Sequence, residues 1–262
     1  MEPSKLTTDQ KEQINKYEKD KLISTIDFDH YSKRNFRHWN SYGFVYNFVQ
    51  QYFIHPEQKL LDFGCGNGVE ALRYARMGYQ VYGFDISDQR IENAMILAEK
   101  YGLTDKVTFS VQVSENLDYP PDFFDIIVGV DILHHVNVEE SVKEISRILK
   151  KNGCAIFREP LQTPKRDWIR NSKIVTWLIP HKEEYKKEYF SEHMLNSTDF
   201  SILRRYFSKL TIKRWRVLSI LKELIGSRLI LERCDWLLFK LLPFMRHFGD
   251  QAVLIVEKKC CL

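Results

Sequence analysis

The chain has 262 residues, 44% of them apolar and 13% aromatic, enough to build a real core and too many for a disordered chain. Its 39 basic and 35 acidic residues leave a formal net charge of +4, a mixed surface rather than the basic stripe of a nucleic-acid binder. Five scattered cysteines, none in a C-x-x-C pair, argue against a zinc ribbon, thioredoxin-like chemistry or a disulfide framework.

The start of the chain, MEPSKLTTDQKEQ, is polar and has no apolar signal core. No run approaches the ~18 uncharged apolar residues of a spanning helix, so a cytoplasmic protein is expected. The ending KKCCL is not a C-a-a-X box, because Lys259 stands where that signal needs cysteine. Residues 1–21 are charged and read as a loose arm or short helix. Residues 31–55 then carry aromatics at helical spacing (Phe36, Trp39, Tyr42, Tyr46, Phe53, with Val49), and Pro56 stops that element.

From here strand and helix alternate. KLLDF (59–63) reads as a buried strand, Asn67 to Met77 as a helix, and QVYGF (80–84) as a second strand. Asp88 to Tyr101 is helical, with Ile91, Ala94, Met95 and Ala98 on one face and Gly102 as its stop. KVTFSV (106–111) and FDIIVGV (124–130) are strands three and four. Val138 to Lys151 is helical, with Asn152-Gly153 as its C-terminal cap, and Cys154 to Arg158 is strand five. Past Pro160 the pattern turns polar and irregular. Residues 206–217 alternate like a strand, 218–247 read as amphipathic helix broken near Gly226 and Pro243, and AVLIVEK (252–258) is a last strand. The expected fold is α/β: a doubly wound, mostly parallel seven-stranded sheet with an N-terminal helical cover and an inserted helical lid. The expected divisions are a cover at 1–56, a cofactor-binding core at 57–160, a lid or acceptor-binding insertion at 161–205, and C-terminal strands with an inserted helical block at 206–262. The apolar stripe of that block (Val217, Ile220, Leu221, Leu224, Ile225) is expected to pack on the sheet. Part of the block faces an acceptor pocket, and contact with a membrane is the less favoured use.

Between the first strand and helix lies Asp62-Phe63-Gly64-Cys65-Gly66-Asn67-Gly68. A strand, a glycine turn and a helix form the front half of a nucleotide-binding unit, and the glycines let a ligand lie on the backbone. The dinucleotide fingerprint is G-x-G-x-x-G, but here the spacing is G-x-G-x-G. Asp62 before the turn would repel a phosphate, so the ligand should lack one and can carry a cation. Asp85 ends the second strand, where a carboxylate suits the two hydroxyls of a ribose. A phosphate-free nucleoside with a cationic group fits S-adenosylmethionine. A nicotinamide dehydrogenase is the rival for the same fold, and the loop spacing disfavours it. Asp85 could instead be an ordinary cap for the helix that follows.

The segments LLDFGCGNG, GFDIS, ENLDYPPDFFDIIVGVDILHHV and EISRILKKNGCAIFREPL, in this order, resemble the class I S-adenosylmethionine-dependent methyltransferases. The likeness is to the broad group with ubiquinone/menaquinone-type and natural-product enzymes, and it covers roughly Leu60 to Leu161. It implies that Gly64, Cys65 and Gly66 lie under the methionine part of the cofactor and that Asp62 orients the loop and reaches the amino group through water. It also implies that Asp85 holds the ribose, that Ile86 packs on the adenine, and that Ser114 and Glu115 lie at the adenine edge. Val130 and Asp131 would end the fourth strand beside the methionine. The chain departs from the pattern at Val113, where the family often has Asp, and at Lys151-Asn152-Gly153, where Pro-Gly-Gly is usual.

Methyl transfer needs a nucleophile held about 3 Å from the methyl, in line and away from water, and needs a base only for an acidic acceptor. The candidates for that base are His134, His135 and His193, any of which could instead have a structural or positioning role. Glu159 is a candidate acceptor-binding group, against a plain salt bridge to Arg158 or a lysine. Tyr31 is the aromatic of 31–55 expected to touch the cofactor, beside Arg34, Trp39 and Tyr42; most of that stripe is expected to be core. No metal is expected. The expected activity is methyl transfer to an oxygen of a small-molecule metabolite or natural product. Alternatives are C- or O-methylation of a lipid-like or quinone acceptor, or a non-catalytic cofactor-binding protein. A nucleic-acid partner is not expected, since YPPDFF (119–124) precedes the fourth strand rather than following it.

Overall fold

A computed structural model describes residues 6–17, 22–30, 40–52, 55–164, 194–221 and 226–258. In chain order its regular elements are α1 (Thr8–Tyr17), α2 (Ser41–Tyr52), β1 (Lys59–Phe63), α3 (Val69–Met77), β2 (Gln80–Asp85), α4 (Asp88–Lys100), β3 (Val107–Val111), β4 (Phe124–Val130), α5 (Val138–Ile148), β5 (Leu149–Pro160), α6 (Ser197–Tyr206), β6 (Lys209–Trp215), α7 (Arg228–Leu241) and β7 (Gln251–Glu257). The seven strands form one sheet in the order β3-β2-β1-β4-β5-β7-β6. β1 to β5 are parallel, and β7 runs antiparallel between β5 and β6. The chain order reverses between β1 and β4, where an open α/β sheet places its ligand.

The pleat sorts the core into two layers. Leu61, Phe63, Ile127, Ala155 and Phe157 face α5 and α6, meeting Val142, Ile145, Phe200 and Leu203. Leu60, Ile126, Val128 and Ile156 face α2, α3 and α4, meeting Val45, Val49, Leu72 and Leu97. Phe63 lies edge-on to Phe84 and to Phe157, with ring centroids 4.9 and 5.8 Å apart, which fixes the middle of the first layer beneath the site. The caps are local. Ser87 caps α4 by accepting from the Arg90 N–H, and Asn137 caps α5 by accepting from the Glu140 N–H. Neither Asp85 nor a histidine of the 134–135 pair serves as the cap.

Four expectations change. The helix expected to reach Lys151 ends at Ile148, and Asn152 (φ +65°) with Gly153 sits in a bulge inside β5 rather than at a helix cap. In α2 the buried positions are Ser41, Val45 and Val49. Tyr42 and Tyr46 are only half-buried, because the inner stripe of that helix is its small residues. Of the expected lid, 165–193 lies outside the described residues. Its C-terminal end is α6, whose Phe200 and Leu203 belong to the core, so that part is a layer of the sheet's own covering. In the C-terminal block, α7 buries Leu231, Glu232, Asp235 and Phe239 and exposes Ile230, Trp236, Leu237 and Leu241. The apolar stripe expected there falls partly on 222–225, also outside the described residues. Among the described residues no helix is long and apolar enough to cross a membrane.

Candidate active site

The C-terminal ends of β1, β2, β4 and β5 converge on one edge of the sheet. After β1 the chain turns through Gly64 (φ +75°) and Gly66 (φ +52°). A Cβ on Gly64 would lie 2.7 Å from the Ile132 side chain, so only glycine lets the β1 turn and the β4 loop close on each other. The Gly66 N–H donates to Asp85 Oδ2 (3.0 Å) and the Ser87 N–H to Asp85 Oδ1 (3.0 Å), while the Cys65 N–H donates to the Phe84 carbonyl (2.8 Å). Asp85 therefore ties the first turn to the second.

Beneath the turn, Asp62 is 4% exposed, and its Oδ2 is buried with no hydrogen-bond partner. Burial pushes the Asp62 carboxyl well above the ordinary carboxylate range, and the nearby Glu70 adds to this. Burial also raises Asp85, against the lowering effect of the Ser87 N–H and of Arg90. Two adjacent carboxylates that are costly to ionise, one with an orphaned oxygen, form a site prepared for a cation rather than a phosphate.

A cleft opens over this turn. It is lined by Gly64, Asp85, Ile86, Ser114, Glu115 and His135 of the expected set, with Ile132 and Val113 beside them. Ser114 is held from below by the Ser141 hydroxyl (3.0 Å), and Glu115 Oε1 accepts from the Asn137 N–H (3.1 Å). Gln10 and Gln13 of α1 complete the lining. Gln10 donates to Glu115 Oε2 (3.3 Å) and Gln13 to the His135 carbonyl. With them in place the hollow holds about 40 Å³. Of the two readings of this segment, a loose arm or a short helix, the helix is the one found, and it lies across the cleft. The sequence carries little signal for it, since two glutamines three apart in a polar segment look like any solvated helix.

The other expected residues flank the cleft instead of lining it. Cys65 is buried in the core layer facing α3 and α4. Gly66 and Val130 support the turn and the end of β4. Asp131 takes a left-handed conformation (φ +54°), its N–H donating to the Arg158 carbonyl (2.8 Å). Its carboxylate pairs with the Arg158 guanidinium and accepts from the Tyr42 hydroxyl (3.2 Å). Arg158 also donates to Ser41 Oγ (2.9 Å) and Gln251 Oε1 (3.0 Å) and stacks 3.7 Å from the Tyr42 ring centroid. The cation over Tyr42 is therefore Arg158. Tyr31 and His193 lie outside the described residues.

Glu159 makes no bridge to Arg158, because consecutive strand residues face opposite sides. It is 0% exposed, and its Oε1 accepts from the Ile132 N–H (3.0 Å) and the Leu133 N–H (2.8 Å). Its Oε2 lies 2.7 Å from Nδ1 of His134, itself 7% exposed. A carboxylate at Nδ1 places the proton there and leaves Nε2 as the basic nitrogen. The His135 ring packs beside it, with centroids 3.9 Å apart. No cluster of three or more metal-ligating side chains occurs among the described residues.

Residues 61–157 match the methyltransferase domain family. A ubiquinone biosynthesis O-methyltransferase from Pelagibacter ubique is 41% identical over 133 residues, 49% of this chain and 54% of that protein. A 27-O-demethylrifamycin SV methyltransferase from Amycolatopsis mediterranei is 34% identical over 108 residues, 40% of each. The chain thus spans about half the length of the curated relatives it matches, or less. In fold it is similar along nearly its whole length to the geranyl diphosphate C-methyltransferase of Streptomyces coelicolor A3(2), whose crystal structure holds Mg2+, geranyl diphosphate and S-adenosyl-L-homocysteine. The TM-score is 0.64 at 14% identity, covering 97% of this chain and 99% of that one. The strand order, the glycine turn with Asp85 and the match of residues 61–157 to the methyltransferase domain family agree with one another.

Proposed function

We propose that the chain transfers a methyl group from S-adenosylmethionine to an oxygen of a small-molecule acceptor. The observation that carries this reading is the pair of buried carboxylates, Asp62 and Asp85, under a glycine turn with no phosphate-binding spacing. The residues present fit that cofactor. Asp85 offers a carboxylate to the ribose, Ile86 and Ser114 line the adenine end, and the orphaned oxygen of Asp62 suits a cationic ligand. The cofactor supplies the methyl group and a sulfonium leaving group.

The chain's own residues do the remaining work. Gly64 and Ile132 shape the floor on which a reacting carbon would rest. Glu159 fixes the 131–135 loop through two N–H bonds and fixes the His134 tautomer through a third contact. That dyad is the best-supported general base for a hydroxyl acceptor, with Glu159 as its orienter. His135 lines the cleft beside it. The names of the two curated relatives favour oxygen as the acceptor atom.

The test is thermal stabilisation by S-adenosylmethionine, S-adenosylhomocysteine and NAD, followed by a metabolite screen for a mass gain of one methyl group. Stabilisation by the first two alone is expected. Stabilisation by NAD would point to the dehydrogenase alternative, and cofactor binding without any methyl turnover to a non-catalytic binding protein.

A further inference from the structure

A second cavity, of about 490 Å³, opens on the same edge of the sheet, at the β5–β7–β6 flank. Its walls are apolar (Leu161, Leu195, Phe200, Phe248), and its charged lining is basic: Arg214 of β6 and, in its protonated form, His247. Among the described residues no carboxylate lines it. Arg214 is half-buried. Its NH1 donates to the His247 carbonyl (2.8 Å), and among the described residues no acid pairs with it. Thr163 is 6% exposed, and its hydroxyl, buried at the cavity wall, has no hydrogen-bond partner. An unpaired guanidinium and an orphaned hydroxyl in one mostly apolar hollow are costly unless something anionic completes them.

The cavity is placed for the chemistry. Glu159 pairs with Ala252, and Ala252 pairs with Arg214, so the three stand side by side across β5, β7 and β6. Two strand spacings put Arg214 about 10 Å from Glu159. Both side chains face the α5–α6 side, as do Phe157 of β5, Leu161 just after that strand, and Leu210 and Ile212 of β6. Ala252, the small side chain between them, is buried in the core.

We infer that this cavity is the acceptor's anchoring subsite and that the acceptor is a small molecule with an apolar body and an anionic group, a carboxylate or a phosphate, held by Arg214 and Thr163. The inference rests on the methyl-transfer reading for what happens at the far end of the ligand, but the anion subsite is measurable without turnover. Burial of Arg214, with no acid paired to it among the described residues, lowers its pKa.

The probes are 4-hydroxybenzoate, 4-hydroxyphenyl phosphate and the neutral 4-hydroxybenzamide, titrated calorimetrically into the protein with and without S-adenosylhomocysteine. Both anions are expected to bind at least about tenfold tighter than the amide, the scale of one charge-assisted hydrogen bond. Arg214→Gln should erase that preference and Arg214→Lys keep part of it. Thr163→Val should weaken both anions several-fold, and all three variants should keep the wild-type affinity for S-adenosylhomocysteine. The ratio of benzoate to phosphate affinity tells which anion the site was built for. No anion preference in the wild type, or a preference that survives in Arg214→Gln, overturns the inference. Failure of S-adenosylhomocysteine to bind the wild type overturns the methyl-transfer reading instead, and leaves the anion result to be read by itself.

Discussion

The two halves of the candidate site are built from different materials. The half after β1 and β2 is made of neighbouring chain: Gly64 and Gly66 supply the conformation, and the buried carboxylate of Asp85 fastens one turn to the next by accepting from N–H groups. The half after β4 and β5 is made of buried charge. Glu159 and Arg158 are neighbours on one strand and face opposite layers, and each gathers partners from distant chain. Arg158 reaches Ser41, 117 residues away, and Gln251, 93 residues away. The first kind depends on glycines and a carboxylate that lie close together in the chain, whereas the second fails when a single distant partner is removed.

The largest effect that would test this contrast is at Glu159. Glu159→Ala leaves two buried N–H groups and the His134 Nδ1–H without an acceptor, and a loss of about 3–5 kcal/mol is expected in urea unfolding. Glu159→Gln keeps an acceptor for the loop and should recover much of that stability. It should nonetheless remove the His134-dependent limb of the pH–rate profile, which a purely structural role would leave in place.

Next comes Gly64→Ala, which forces φ +75° on an alanine and sets its Cβ against Ile132. A cost of about 1–3 kcal/mol is expected, with cofactor affinity falling far more than acceptor affinity. Equal losses at both would mean that the β1 turn is not the cofactor's floor.

The pH dependence is smaller and has a definite sign. A carboxyl whose folded pKa is raised stabilises the fold below its ordinary pKa, and that contribution is lost as pH rises through the raised value. Asp62 is such a group. The melting temperature of the free wild type should therefore fall relative to Asp62→Asn as pH rises above the ordinary carboxylate range. S-adenosylmethionine, which brings positive charge, should bind more tightly over the same rise, and Asp62→Asn should flatten that trend. The smallest effect is at α1. Gln13→Ala removes the bond to the His135 carbonyl and should speed cofactor association a few-fold in stopped-flow, with little change in stability.

The same contrast explains what the sequence could tell. The β1 turn and Asp85 lie within about one βαβ unit, so period, glycine spacing and one acid at a strand end were enough to find them. A mostly parallel sheet with helices on both faces followed from the alternation of elements. The Arg158 and Glu159 networks were not legible, because a charge in a strand says nothing of which distant partners bury it. Glu159 was expected to bridge Arg158 or a lysine, or to bind an acceptor, and it is instead the staple of the 131–135 loop. Asn152-Gly153 looked like a helix cap because the residues that favour a cap also favour a bulge. In α2 the aromatic spacing drew attention from Ser41 and Val45, the small residues that let the helix approach the sheet.

The central claim is that the turn at Gly64 and the carboxylate of Asp85 hold S-adenosylmethionine. Its most direct test is equilibrium dialysis of labelled S-adenosylmethionine against the wild type and Asp85→Ala, with circular dichroism to verify the fold. Saturable binding by the wild type, weakened at least about tenfold in the variant at unchanged secondary structure, is the expected result. Equal binding by both, or displacement of the label by NAD, would contradict it.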